Sequence, residues 1–318
     1  MIEHLIRYLS LTILLLAGSF FYFAIAEKFN IKDKPNSRSS HNYITIRGGG
    51  IIFWIAGVAC SLINLPGSGY FLFGLTLICL VSFWDDISSL PISLRIIVHF
   101  ISITLIIYHL NGFALPIYWI IVIYIVFTGV MNAFNFMDGI NGMTGLYSLT
   151  VLLSFEYVND FVITFTNPDY IRFAIPACLV FLFFNYRRKA ICFAGDVGSM
   201  GISFWIVMLL LQLMLEDKNY AWVFLLSVYG VDTVLTIIHR IFLRENIFQS
   251  HRRHFYQVMT NECGYSHLAV SAVYAGLQLM VSAIVIFVHN YRMVSVFAAV
   301  GVLICIYMLK FKVNIAKK

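Results

Sequence analysis

The chain has 318 residues, 61% of them hydrophobic and only 11% charged, with a formal net charge of +6 and a mean hydropathy of +0.87. A soluble domain carries about 25% charged residues, so two soluble domains, the length-based expectation, are excluded. A nucleic-acid partner is not expected either.

Apolar runs recur from end to end, near the roughly 20 residues that a helix needs to cross the hydrocarbon. Within lipid the backbone must pair internally, so continuous runs of this kind predict helices rather than barrel strands. In chain order they fall at about 5–26, 49–65, 69–84, 94–110, 116–131, 143–158, 171–186, 199–215, 220–239, 267–289 and 294–310. The expected fold is all-α: a polytopic membrane protein of about 11 spans, read as one transmembrane catalytic domain over 1–318. The first run passes into a polar loop without a small-residue cleavage pattern and reads as a retained helix. The cysteines form no CxxC pair, and those inside the runs read as small buried residues.

Charge sets the orientation. Cytoplasmic loops collect Lys and Arg; with the N-terminus outside and the C-terminus inside, 17 of the 21 basic residues lie on the inner side. The outer acids (Glu3, Glu156, Asp160, Asp169, Glu216 and Asp217) read as solvated loop residues. The inner loops, about 27–48, 85–94, 132–142, 187–198 and 240–266, are then the place for chemistry.

The first inner loop, DKPNSRSSHNYITIRGGG, supplies Lys34, Arg38, His41 and Arg47 as positive charge for a phosphate-rich partner. Asp85 and Asp86 close an apolar helix in FWDDISSL, with Arg95 just beyond. An acid there faces the unfavourable end of the helix dipole, which argues for a task. In MNAFNFMDGINGMTGL, Asn132, Asn135, Asp138 and Asn141 recur every three residues, a spacing that favours one side of a helical turn. Asp196 sits in GDVGS, where Ser199 is a candidate helix cap. Asp232 lies inside an apolar span, where acids are costly and usually functional. QSHRRHFYQ brings together His251, Arg252, Arg253 and His254; Arg forks pair with phosphate and His donates hydrogen bonds or binds metal. Carboxylates at one depth suit Mg²⁺, with Mn²⁺ as a substitute. Metal plus cationic clamps is the equipment of phosphoryl transfer. A transporter of a phosphorylated or anionic solute is the alternative; it predicts charges on a path reaching both faces.

KPNSRSSH with RGGG, WDDISSL with Arg95, NAFNFMDGING, GDVGS, VDT and SHRRHFYQ follow one another over about residues 34 to 257. In this set and order the chain resembles the polyprenyl-phosphate N-acetylhexosamine-1-phosphate transferases, glycosyltransferase family 4. SHRRHFYQ is more similar to the O-antigen- and capsule-initiating branch than to phospho-N-acetylmuramoyl-pentapeptide transferase. The resemblance implies transfer of a sugar phosphate from a UDP-N-acetyl sugar to undecaprenyl phosphate with release of UMP, at the cytoplasmic face of the bacterial inner membrane, and a homodimer. It further implies that Asp196 is a Mg²⁺ ligand with Asp85 and Asp86 near the metal and the lipid phosphate. Asn135 and Asp138 would line the nucleotide site, and His251 and His254 would contact phosphates. Many members carry Asp where this chain has Asn141, which removes a charge from that position.

Overall fold

The computed structural model describes residues 2–35, 40–246, 251–288 and 292–315. Each of the eleven expected spans is helical. Among the described residues, eight helical stretches are long and apolar enough to cross a membrane. They are α1 (Ile2–Lys28), α3 (Gly69–Ile87), α4 (Ile92–His109), α5 (Ile117–Met137), α9 (Gly195–Asp217), the Tyr220–Phe242 stretch, α12 (His267–Phe287) and α13 (Arg292–Ile315). The others are shorter or more polar: α2 (Ile51–Ile63), α6 (Met143–Phe161), and the seventh run, split into α7 (Asp169–Arg172) and α8 (Ala174–Asn185). The sequence does not announce α11 (Phe255–Asn261), a short helix in the last long loop. Among the described residues the only strands are β1 (Lys32–Asp33) and β2 (Thr45–Ile46), an antiparallel pair.

Helix α9 is apolar on every side, the pattern of a helix enclosed by others. It stands at the centre, with Phe204, Trp205, Ile206, Val207, Leu209 and Leu210 all buried against α2, α3, α5 and α6. The run expected as one helix over about 220–239 is broken: a 3₁₀ turn over Tyr220–Leu226 leads into α10 (Ser227–Phe242). The break frees backbone groups at membrane depth, where each must find a partner. Gln278 of α12 supplies one, its Oε1 accepting from the Val228 N–H (3.1 Å) and the Tyr147 hydroxyl (2.8 Å).

The far end corrects the view of four of the outer acids, while Glu216 is exposed as expected. Glu156 and Asp160 pair with Arg172 (2.5 and 2.8 Å), Asp169 is buried against Arg7 (2.8 Å), and Asp217 accepts from the Trp222 indole (2.6 Å). Cys60, Cys79, Cys178 and Cys192 are buried free thiols.

Candidate active site

The site begins with a backbone ladder. The Phe193 N–H donates to the Ile46 carbonyl (2.8 Å), Gly49 N–H to Phe193 (2.8 Å) and Gly50 N–H to Ala194 (3.0 Å). The RGGG segment is thereby zipped along the residues that open α9. The crossing is backbone on backbone: a Cβ on Gly50 would stand 2.3 Å from the Gly198 Cα. Gly195 has φ +71°, and a Cβ there would also strike Asp86 Oδ2 at 2.6 Å, so only glycine fits.

Asp86, at the end of α3, is consumed by this junction. Its oxygens accept from the backbone N–H groups of Asp196 (2.9 Å) and Val197 (3.1 Å) and from Arg47 Nε (2.6 Å), and its side chain has no exposure. An N-terminal helix turn has unsatisfied N–H groups, and here a carboxylate from another helix fills them. Arg47 also reaches Asp196 Oδ1 (3.5 Å). Burial works against its charge, but Asp86, Asp196 and Asp33 outweigh that and raise its pKa. Asn135, on the last turn of α5, donates to Asp196 Oδ1 (3.0 Å) and to the Ser199 hydroxyl (3.2 Å).

These groups wall a polar cavity of about 300 Å³, lined by Arg47, Asn135, Asp138, Asp196 and His41. Asp138 caps α5 and accepts from the Thr144 hydroxyl (2.6 Å). Burial pushes its carboxyl up to about 7, although the Thr144 bond opposes the shift. His41 pairs with Asp33 (3.3 Å) and lies 4.7 Å from the Phe193 ring. Burial lowers its pKa, with Asp33 pulling the other way.

Beside this cavity runs an apolar groove of about 450 Å³ between α5, α10 and α13, lined by Gly129, Ala133, Phe134, Gly230, Val234 and Ile237, among others. The last turn of α5 contributes to both spaces. Phe134 faces the groove and Asn135, the next residue, faces the polar cavity.

Residues 68–214 match the model of glycosyl transferase family 4. The undecaprenyl-phosphate alpha-N-acetylglucosaminyl 1-phosphate transferase of Thermotoga maritima is 23% identical over 246 residues, covering 75% of this chain and 76% of that one. The phospho-N-acetylmuramoyl-pentapeptide-transferase of Dictyoglomus turgidum is 26% identical, covering 68% and 74%. A probable undecaprenyl-phosphate N-acetylglucosaminyl 1-phosphate transferase of Bacillus subtilis is 26% identical, covering 82% and 79%. Over residues 68–214 the chain is similar to glycosyl transferase family 4. The family 4 match takes in Asp85, Asp86, Asp138 and Asp196 and ends before the loop that carries His251 and His254.

Not every expected residue reaches the cavity. Asp85 lies beside Asp196, but its own oxygens accept from the Leu90 N–H (2.6 Å) and from Arg95 (2.9 Å). Asn132 turns back to the Thr128 carbonyl of its own helix (2.8 Å). Asn141 is buried and does not line the cavity; its Nδ2 donates to the carbonyl of Arg187 (2.7 Å) and to the Tyr43 hydroxyl (3.1 Å). An ionised Asp could not make those donations, so the asparagine is a loop staple. Arg253 is paired with Glu245, and its carbonyl receives Lys310. Lys34 is exposed, Arg252 is partly buried, and Arg38 lies outside the described residues. His251 is partly buried, its ring tilted against that of His254 with centroids 4.9 Å apart; burial, helped by His254 and Arg240, lowers its pKa to about 3. Asp33, Phe193, Asn185 and Gln257 line the cavity without having been singled out. The hairpin pairing that delivers Asp33 has no local signature.

Among the described residues no three His, Cys, Asp or Glu side chains form a metal cluster. Mg²⁺ does not need one: it binds through one or two carboxylates and completes its shell with water and substrate phosphate. Asp196 and Asp85 carry adjacent carboxylates. Arg47 and Arg95 each neutralise one of them, and a divalent cation between the two would add to that neutralisation, so the residues present fit the ion.

Proposed function

We propose that the protein transfers an N-acetylhexosamine 1-phosphate from a UDP-sugar to undecaprenyl phosphate, releasing UMP, at the cytoplasmic face of a bacterial inner membrane, as the first step of an O-antigen- or capsule-type polysaccharide. One observation carries the reading: neighbouring residues on the last turn of α5, Phe134 and Asn135, line an apolar groove and a polar, carboxylate- and arginine-lined cavity respectively. A lipid whose charged head must meet a soluble nucleotide needs both.

The chemistry follows. An oxygen of the lipid phosphate attacks the phosphorus that bears the sugar. The bond from that phosphorus to the bridging oxygen breaks, and UMP leaves with the electron pair. A phosphomonoester's second pKa is near 6, so the nucleophile is ionised at neutral pH and no general base is required. Arg47 neutralises developing charge from a preorganised position, where such a cation does most. Asn135 orients Asp196, and the Phe193–His41 pair offers an aromatic face for a nucleobase. Asp196, with Asp85 beside it, would hold Mg²⁺, which when bound offsets charge on the diphosphate. Asp86 acts indirectly, by fixing the start of α9. A homodimer belongs to the same proposal.

The test is a purified-protein assay with undecaprenyl phosphate, Mg²⁺ and a panel of UDP-N-acetyl sugars, following lipid product and UMP together. Stoichiometric product that disappears with Asp196→Asn supports the reading. Absence of both turnover and UDP-sugar binding across the panel, from folded protein, rejects it in favour of transport.

A further inference from the structure

We infer that Asp232 is a positioning residue that fixes the imidazole of His254 for the phosphate chemistry of the neighbouring cavity; this rests on the function proposed above. Asp232 sits within α10 in a stretch long and apolar enough to cross a membrane, is 3% exposed, and lines a small apolar cavity rather than the polar one. An acid at that depth is expensive and calls for partners. It has four: the Tyr274 hydroxyl (2.6 Å), the Phe255 N–H (3.1 and 3.2 Å), the Thr236 hydroxyl (3.2 Å) and His254 Nδ1 (3.1 Å).

Only the last of these bears on chemistry. An ionised carboxylate accepts and never donates, so Nδ1 of His254 carries the proton and Nε2 is the nitrogen left over. The ring is 2% exposed, and Nε2 has no hydrogen-bond partner among the described residues. A buried nitrogen left unpaired costs free energy, and a ligand that fills it recovers that cost. Its surroundings say which ligand. His254 caps α11, and its ring lies 6.1 Å from that of Phe136, which stands between the cavity residues Asn135 and Asp138. Gln257, one turn further on, lines the polar cavity, and the Tyr256 hydroxyl ties the helix to the Phe136 carbonyl (2.9 Å). A phosphate oxygen is the group of the proposed reaction that Nε2 can serve, by donating a hydrogen bond once protonated, with Asp232 balancing the charge. This is the arrangement in which one carboxylate sets both tautomer and ring orientation of a histidine.

The competing role for Asp232 is purely structural, as an anchor for α11 and α12. A double-mutant cycle separates the two. With the full-length chain in lipid nanodiscs, undecaprenyl phosphate and the UDP-sugar that the protein uses, Asp232→Asn and His254→Ala should each lower kcat by about 10²- to 10⁴-fold. The donor KM should change far less. The double variant should be no worse than His254→Ala alone. Losses that multiply, or a kcat for Asp232→Asn within about threefold of wild type, overturn the inference. Tyr274→Phe removes the 2.6 Å bond to the same carboxylate and leaves His254 untouched. It should retain activity, and a loss matching that of Asp232→Asn would make the role structural. The nitrogen-15 spectrum of histidine-labelled protein needs no turnover: His254 should show a protonated Nδ1 and a bare Nε2 without ligand, and the opposite tautomer overturns the assignment. If wild type forms no product with any sugar, the proposed function falls, while this spectrum still decides how Asp232 holds His254.

Discussion

Replacing Asp86 should damage the protein before it damages catalysis. The carboxylate is fully enclosed and accepts from two backbone N–H groups at the start of α9 and from Arg47. Asp86→Ala leaves all three donors without it. A buried unpaired donor costs about 1–3 kcal/mol, and hydrogen bonds to charged groups are worth about 1.5–3 kcal/mol. Arg47 keeps Asp196 and is one-third exposed, so its share belongs at the low end. The loss comes to about 4 kcal/mol. For a chain of this length each kcal/mol moves the midpoint by about 2 °C, so a fall of about 8 °C is expected. The assay is thermal unfolding in nanodiscs with EDTA present and no substrate. The EDTA matters, because a residue that worked solely as a metal ligand would show no defect there. An Asp86→Ala protein as stable as wild type under those conditions would refute the clamp.

Asp196→Asn should behave oppositely, losing transfer activity by at least 10²-fold while melting within about 2 °C of wild type, as is usual when no buried network is broken. Gly50→Ala should fail to accumulate as folded protein in fluorescence-detected size exclusion, since its Cβ would stand 2.3 Å from the Gly198 backbone. Gly129 and Gly230 have open space where a Cβ would go. Gly129→Leu and Gly230→Leu should therefore raise the KM for undecaprenyl phosphate at least threefold and leave UDP-sugar binding unchanged, measured by calorimetry. Asp138 has a folded pKa near 7 against an ordinary 3.8. The native state thus holds this proton more tightly, a contribution present below about pH 4 and lost as the pH rises through 7. In metal-free protein Asp138→Asn should melt higher than wild type at pH 8, with the gap closing towards pH 4.

The spans were legible because apolar runs of bilayer length have one physical solution, a helix. The gathering of Asp196, Asn135, Arg47 and Asp138 was legible because costly polar residues cluster at helix ends. What each carboxylate does was not. Asp85, Asp86 and Asp196 are the same residue type, and only the ladder between residues 46–50 and 192–194 decides that Asp86 faces backbone and Asp196 faces the cavity. The three-residue spacing of Asn132, Asn135, Asp138 and Asn141 suggested one face. Helix α5 ends at Met137, however, so Asn141 leaves that face and binds the Arg187 carbonyl. The break at Tyr220–Leu226 was invisible to hydropathy because the unwound turn is as apolar as the helix that follows; Gln278, about 50 residues away, is what makes it tolerable.

The bonds that build the site join distant parts of the chain, and that orders its biogenesis. Asp86 waits 110 residues for the Asp196 N–H. At about 5–20 residues per second, the ribosome needs about 5–20 s to cover that gap. Through this interval Arg47 and Asp86 lack their α9 partners at the end of half-assembled helices, so they must find each other, water or a helper protein. A crosslinking group placed at position 86 of stalled nascent chains should report that temporary neighbour, and should lose it once residues beyond α9 have emerged.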